Sequence, residues 1–131
     1  MALLETAVQP DDLLVEIRVP TTSMNANSCY EKFAQPASRY PYVGCAVAVD
    51  KSGGTCSDVR VGFSGVGHVG FRDSNVEGAL KGQALSAASI KAAADTATNG
   101  VDVLSDWSVS EDYRRAMSRV YARRALTKVG L

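Results

Sequence analysis

Four side chains could bind a soft metal: Cys29, Cys45, Cys56 and the single histidine, His68. A zinc or iron–sulfur centre built from this chain alone would use almost all of them. Their spacing argues otherwise. No C-x-x-C pair occurs, and the cysteine count is odd. Cys45 lies in the apolar run Val43-Gly44-Cys45-Ala46-Val47, where a thiol serves as a small hydrophobe. The expectation is three reduced thiols, a cytoplasmic location and no metal site. His68 could act as an acid–base or pH-sensitive group. With no Ser, Cys or Asp partner at a motif spacing, it reads as a loop histidine rather than the centre of a small hydrolase.

Three further constellations carry chemistry in other proteins. Gly65-x-Gly67-x-x-Gly70 has the dinucleotide spacing and follows a strand pattern. That fingerprint must open a helix directly, so that the pyrophosphate meets the helix N-terminus. Here Val69-Gly70-Phe71-Arg72 still reads as extended, so a kinked strand end is expected. Arg114, Arg115, Arg119, Arg123, Arg124 and Lys128 could form an anion or partner surface. A solvated helix face is the expected reading, with cations favoured toward the C-terminus. Tyr30-x-Lys32-Phe33 and Arg39-Tyr40-x-Tyr42 could line a flat cofactor such as a flavin, or be ordinary sheet residues. No nucleophile with a base, and so no catalytic residue, emerges.

The chain has 131 residues, 46% of them hydrophobic, with fourteen Lys+Arg against fourteen Asp+Glu. That suits one domain with a real core. Zero net charge argues against a nucleic-acid module. No apolar run approaches a membrane span, and residues 1–5 lack the features of a signal peptide.

Periodicity supplies the elements that must position these groups. Residues 14–19 alternate, with Val15, Ile17 and Val19 on one side and Glu16 and Arg18 on the other; this predicts a half-buried strand ended by Pro20. A polar loop over 21–28 follows, then a short strand over 29–33, with Pro36 and Pro41 bracketing a turn. Residues 42–49 and 58–64 predict an antiparallel hairpin around Lys51-Ser52-Gly53-Gly54. Val43, Cys45, Val47 and Val49 share one face; Gly44, Ala46 and Ala48 leave the other open to close approach. Ser74-x-x-Glu77 has capping-box form and opens a helix to about Lys81, ended by Gly82. Residues 85–98 predict a second helix, stopped by Asn99-Gly100. Ser110 caps a third, with Tyr113, Met117, Val120, Tyr121 and Ala125 as its apolar stripe and Gly130 just past its end. Three or four strands followed by three helices predict an α+β two-layer sandwich on an antiparallel sheet, one domain over residues 1–131.

Residues 29–40, Cys-Tyr-Glu-Lys-Phe-Ala-Gln-Pro-Ala-Ser-Arg-Tyr, followed by Val43-Gly44-Cys45-Ala46-Val47-Ala48-Val49, resemble a known family. So do the lead-in Pro10-Asp11-Asp12-Leu13-Leu14-Val15-Glu16-Ile17-Arg18-Val19-Pro20 and the finish from Ser110-Glu111-Asp112-Tyr113-Arg114-Arg115 to Arg123-Arg124-Ala125-Leu126. The family is the C-terminal domain of the FAD-binding (medium) subunit of molybdenum hydroxylases, the aerobic carbon monoxide dehydrogenase and xanthine dehydrogenase group. The resemblance spans essentially the whole chain. It implies the same α+β sandwich and a place in an oxidoreductase complex. A molybdenum-cofactor subunit oxidises the substrate, a [2Fe–2S] subunit relays electrons, and the medium subunit's FAD passes them to an acceptor.

The resemblance also implies that two preceding subdomains bind most of the FAD through glycine-rich loops, and that this chain starts about where they end. The isolated chain is therefore expected to be non-catalytic and to bind FAD weakly or not at all. Lys32 matches a recurrent lysine of the motif, and Gln35 stands where relatives often carry a basic residue; both are implied to lie near the flavin. Gly70 stands about where the family usually has proline. The alternative is a free-standing interaction or dimerisation module, a homo-oligomer without redox activity.

Overall fold

A computed structural model describes residues 5–19 and 27–131. Pro20 and most of the expected 21–28 loop lie outside the described residues. The chain forms β1 (Asn27–Ala34), β2 (Pro41–Ser52), β3 (Thr55–Ser64), β4 (Phe71–Arg72), α1 (Ser74–Leu80), α2 (Ala87–Asp95) and α3 (Glu111–Gly130). The four strands make one antiparallel sheet in the order β1-β2-β3-β4. The helices cover one face, with α3 over β1 and β2, α1 against β3, and α2 touching both other helices. This is the expected α+β sandwich.

The hairpin forms as its alternation predicts. Val43, Cys45, Val47 and Val49 of β2 and Val59, Val61 and Phe63 of β3 are buried. They pack with Val76, Leu80, Ile90, Ala122, Ala125 and Leu126 from the helices. Each buried Val, Leu, Ile or Phe among them contributes roughly 1.5–3 kcal/mol by leaving water. Gly53 and Gly54 both take positive φ (58° and 79°), the conformation a two-residue hairpin turn requires.

Several expectations are corrected. Residues 14–19 join no strand of the sheet, and Leu14, Val15, Ile17 and Val19 are exposed. Alternation marks a β-competent segment but does not name the sheet that receives it. The fourth strand is instead Phe71–Arg72, paired with Gly62 and Phe63. Ser74 is not the cap of α1. Asp73 is, accepting from the N–H groups of Asn75 (3.1 Å) and Val76 (3.3 Å). Glu77 closes no capping box: its Oε1 accepts from the Val61 N–H (2.9 Å) and it pairs with Arg72, so it caps the sheet edge. The second helix is shorter than expected, opened by a reciprocal Ser86–Ser89 box, and Gly130 ends α3 from within.

The cations of α3 are not all on a solvated face. Arg114 is only 3% exposed. Its guanidinium donates to the carbonyls of Leu104 (3.0 Å), Tyr42 (2.9 Å) and Gly65 (2.7 Å) and pairs with Asp106. Arg115 donates to the carbonyls of Thr98 (2.7 Å) and Val101 (2.8 Å). Helical spacing shows which residues share a face but cannot reveal that a loop folds back over the charge. Arg119, Arg123, Arg124 and Lys128 are exposed, as expected. Among the described residues no helix is long and apolar enough to cross a membrane.

Two outcomes follow from this packing. Val47→Asp places an unpaired charge in the core and should cost more than about 3 kcal/mol, while Ala46→Asp, one residue away on the exposed face, should leave the urea midpoint nearly unchanged. The Asp106 carboxyl is held at about 2, below its usual range, first by the Ser108 hydroxyl, then by the N–H groups of Ser108 and Val109, with Arg114 adding attraction. A depressed carboxyl stabilises the fold above its unfolded pKa and loses that contribution as pH falls through its folded value. Thermal stability of the wild type should therefore fall more steeply between pH 4 and pH 2 than that of Asp106→Asn.

Candidate functional site: the helix-free face of the sheet and its turn

The face away from the helices has a floor of small residues. Register places Ala46 between Tyr30 and Gly62, Ala48 between Ser28 and Arg60, and Gly44 between Lys32 and Ser64. Gly62 in turn faces Arg72. The result is a shallow depression of about 360 Å³ over Ser28, Ala46, Ala48, Gly62, Arg60 and Arg72. The Tyr30 phenol crosses Gly44 and reaches the Ser64 hydroxyl at 3.4 Å. A Cβ on Gly44 would lie 2.1 Å from that phenol oxygen, so the glycine is what lets the ring lie down. Arg60 and Arg72 are partly neutralised by Asp58 and Glu77.

Lys32, near the end of β1, and Gln35, the first residue after it, each bond into the turn joining β1 to β2. Lys32 Nζ donates to the Arg39 carbonyl at 3.1 Å. The Gln35 side-chain oxygen accepts from the Ser38 N–H. Backbone bonds from Gln35 N–H to the Tyr40 carbonyl (2.8 Å) and from Arg39 N–H to the Gln35 carbonyl (2.9 Å) close the loop. Arg39 takes positive φ (64°) at its tip. An ammonium has three donors and a carboxamide two, so both side chains retain N–H donors beyond those that build the turn. The tyrosines divide: Tyr40 is exposed, whereas Phe33 packs against Tyr42 (5.4 Å) and Tyr121 (6.0 Å) as part of the core.

The glycine stretch is a joint, not a phosphate loop. Gly65 has φ +73°, and a Cβ there would sit 2.3 Å from the Pro41 carbonyl oxygen. The following helix, α1, already has the Asp73 carboxylate at its N-terminus. The other Asp73 oxygen accepts from the Thr98 N–H at 2.7 Å. A buried carboxylate there repels a phosphate rather than inviting one.

The three thiols are shifted in the same direction for the same leading reason. Burial raises all three pKa values, that of Cys45 to about 12. Among the described residues no group of three His, Cys, Asp or Glu side chains could hold a metal. His68 Nε2 lies 3.9 Å from Asp102, too far for a hydrogen bond, and both are solvent-exposed. They rim a shallow apolar groove with Val69, Phe71 and Val101. Sequence reasoning missed Trp107, which is 96% exposed on a tight turn built by Asp106. An isolated indole gives no periodic signal; the Asp-x-Ser step at 106–108 was the only local clue to the turn.

The first and last glycines of the stretch can be told apart by substitution. Gly65→Ala should cost about 2 kcal/mol or more, because it adds left-handed strain to a backbone clash. Gly70→Ala should be tolerated, since its Cβ would meet only the Phe63 carbonyl at 3.5 Å. Chemical denaturation of both variants reads the difference; a nucleotide fingerprint would be sensitive at both positions.

Comparison with known proteins agrees with this architecture. The CO dehydrogenase flavoprotein C-terminal domain model matches residues 28–129. The chain is 31% identical to the carbon monoxide dehydrogenase medium chain of Hydrogenophaga pseudoflava over 121 residues, which is 92% of this chain and 42% of that protein. It is 30% identical to the 6-hydroxypseudooxynicotine dehydrogenase complex subunit alpha of Paenarthrobacter nicotinovorans, over 94% of this chain and 42% of that one. In structure it superposes on a chain of the Hydrogenophaga pseudoflava carbon monoxide dehydrogenase that lacks the Mo-pyranopterin moiety. The TM-score is 0.90 at 32% identity, covering 98% of this chain and 45% of that chain. Reconstituted CO dehydrogenase from Oligotropha carboxidovorans gives a TM-score of 0.81 at 27% identity, covering 99% and 46%. The chain thus spans less than half the length of the relatives it matches. With sheet, helices and motif order in agreement along its length, the chain belongs to the CO dehydrogenase flavoprotein C-terminal domain family.

Proposed function

We propose that the chain is the C-terminal lobe of a FAD-containing medium subunit of a molybdenum hydroxylase. In that complex electrons pass from [2Fe–2S] clusters through FAD to an acceptor, and the molybdenum subunit oxidises the substrate. The family match, confined to less than half of each longer relative, carries this reading. The filled N-terminus of α1 supports the division of labour, because the phosphates of the coenzyme would be repelled there and belong to the remaining part of the subunit.

The helix-free face and its turn suit a planar ring better than a pyrophosphate. Lys32 offers a fixed positive charge with spare N–H donors, and Gln35 offers a carboxamide on a turn that is already ordered. Tyr30 offers an aromatic face beside them. FAD, when bound, would supply the redox chemistry, and the Lys32 ammonium would favour its electron-richer form. Gln35 hydrogen-bonds without adding charge where relatives often place a cation.

Co-expression with the FAD-binding portion of the subunit, the [2Fe–2S] subunit and the molybdenum subunit from the same genome should yield a yellow-brown complex containing this chain. A colourless homo-oligomer instead would favour a free-standing interaction module and sink the reading. Within the complex, Lys32→Ala should lower the flavin midpoint potential while costing the free chain less than about 1 kcal/mol, the typical net worth of one exposed hydrogen bond. Destabilisation equal to that of Val47→Asp would contradict the surface role of Lys32.

A further inference from the structure

We propose that Asn99-Gly100, in the turn after α2, is a modification site: in the folded domain Asn99 rearranges through a succinimide to aspartate and isoaspartate, and the isoaspartate is a substrate for carboxyl methyltransferases that act on isoaspartyl protein. The inference does not depend on the proposed function. Asparagine amides are among the thermolabile groups of a protein. Rearrangement requires the next backbone nitrogen to reach the side-chain carbonyl carbon, and a following glycine puts no Cβ in the way. Three described asparagines can be compared. Asn27 lies in β1, paired with Val49, and Ser28 follows it. Asn75 lies in α1; the next N–H, that of Val76, is engaged by Asp73, and the Asn75 amide donates to the Asn99 carbonyl at 3.0 Å. Asn99 and Gly100 are both exposed. Among the described residues the Gly100 N–H and the Asn99 side chain have no hydrogen-bond partner. Gly100 has φ +72°, and nothing stands within 4 Å of where its Cβ would be, so water has open access. A single exposed bond, from Asn75, restrains the peptide group that must rotate.

The reaction balances with water alone. The Gly100 nitrogen gives its proton to solvent and bonds to Asn99 Cγ. The bond from Cγ to Nδ2 breaks, and Nδ2 takes a proton from solvent and leaves as ammonia. Nothing is oxidised or reduced. Water then opens the imide at one of its two C–N bonds. Cleavage at Cγ restores the normal backbone with aspartate at 99. Cleavage at the main-chain carbonyl leaves isoaspartate, with the chain running through the side-chain carbon. The site sits between structural anchors. Arg115 holds the carbonyls of Thr98 and Val101 on either side of the pair, and buried Asp73 holds the Thr98 N–H. Isoaspartate lengthens the main chain by one methylene between those anchors, and both products place a new carboxylate next to the residue that Asp73 holds. The converted fraction should therefore melt below the unconverted one.

Incubation of the full chain in warm, mildly alkaline buffer, followed by tryptic mass mapping, reads the site. The peptide Ala92–Arg114 contains Asn99 as its single asparagine and no glutamine, so its amide-to-acid mass gain reports this residue alone. That gain should appear about tenfold sooner than in the peptide Asp73–Lys81, which holds Asn75. The incubated chain should also accept labelled methyl groups from S-adenosylmethionine in the presence of an isoaspartyl methyltransferase. Val47→Ala lowers global stability without touching the turn, so it separates reaction in the folded state from reaction after unfolding; its Asn99 rate should match the wild type. A folded chain that stays unconverted while a synthetic Ala92–Arg114 peptide converts would overturn the proposal. So would a rate that Val47→Ala raises in step with the unfolded population, or conversion at Asn99 no faster than at Asn75.

Discussion

The Arg114 guanidinium holds together the parts of this domain that the sheet alone does not. One side chain joins the start of β2, the glycine bend after β3, the loop before α3 and the Asp106 turn. Burying a guanidinium is unfavourable unless its donors are met, and three carbonyls with a carboxylate meet them here. The consequence is geometric. Because the Tyr42 and Gly65 carbonyls share one Nη1, the β2 start and the bend after β3 are held in fixed relation to the first turn of α3. The bend can approach Pro41 only because Gly65 lacks a side chain. The glycine pattern that invites a nucleotide reading is thus part of the scaffold's joint.

A second buried side chain, Asp73, works the same way at the start of α1. Asp73 serves α1 through one oxygen and the Thr98 backbone after α2 through the other. Thr98 itself has positive φ, held by that bond and by Arg115 on its carbonyl. Helices α1, α2 and α3 are therefore tied through loop backbone rather than through helix faces alone. The far side of the sheet carries only exposed contacts of its own among the described residues, including Tyr30–Ser64, Lys32 to the Arg39 carbonyl and Arg60–Asp58.

Much of the fold was legible in the order of residues. Period-two patterning and the Gly-Gly turn specify the β2–β3 hairpin, and Ser110 with Glu111 and Asp112 specifies the start of α3. The capping signal at Ser74 was misplaced by one residue because Asp73 is equally suited and also has a long-range partner. Residues 14–19 read as a strand by alternation yet join no strand of this sheet, since local alternation carries no information about the receiving edge. Arg114 and Arg115 were illegible because burial of a charge depends on carbonyls scattered from residue 42 to 104. Of the candidate site, Lys32 and Gln35 emerged only through family resemblance. That both bond into the turn after β1 is a product of the β1–β2 pairing, and the small-residue floor beneath Tyr30 was half visible in Gly44-x-Ala46-x-Ala48.

These features describe a lobe tied internally by buried polar side chains, shallow on its helix-free face and with the N-terminus of α1 filled by its own carboxylate. The central claim is that the coenzyme's grip lies in the remainder of the subunit while this lobe supplies shape and a few ring-side donors. Titration of FAD into the isolated, folded chain, followed by flavin fluorescence, tests it most directly. The account predicts no saturable change up to concentrations of roughly 100 μM; saturation at micromolar concentration or below would contradict it.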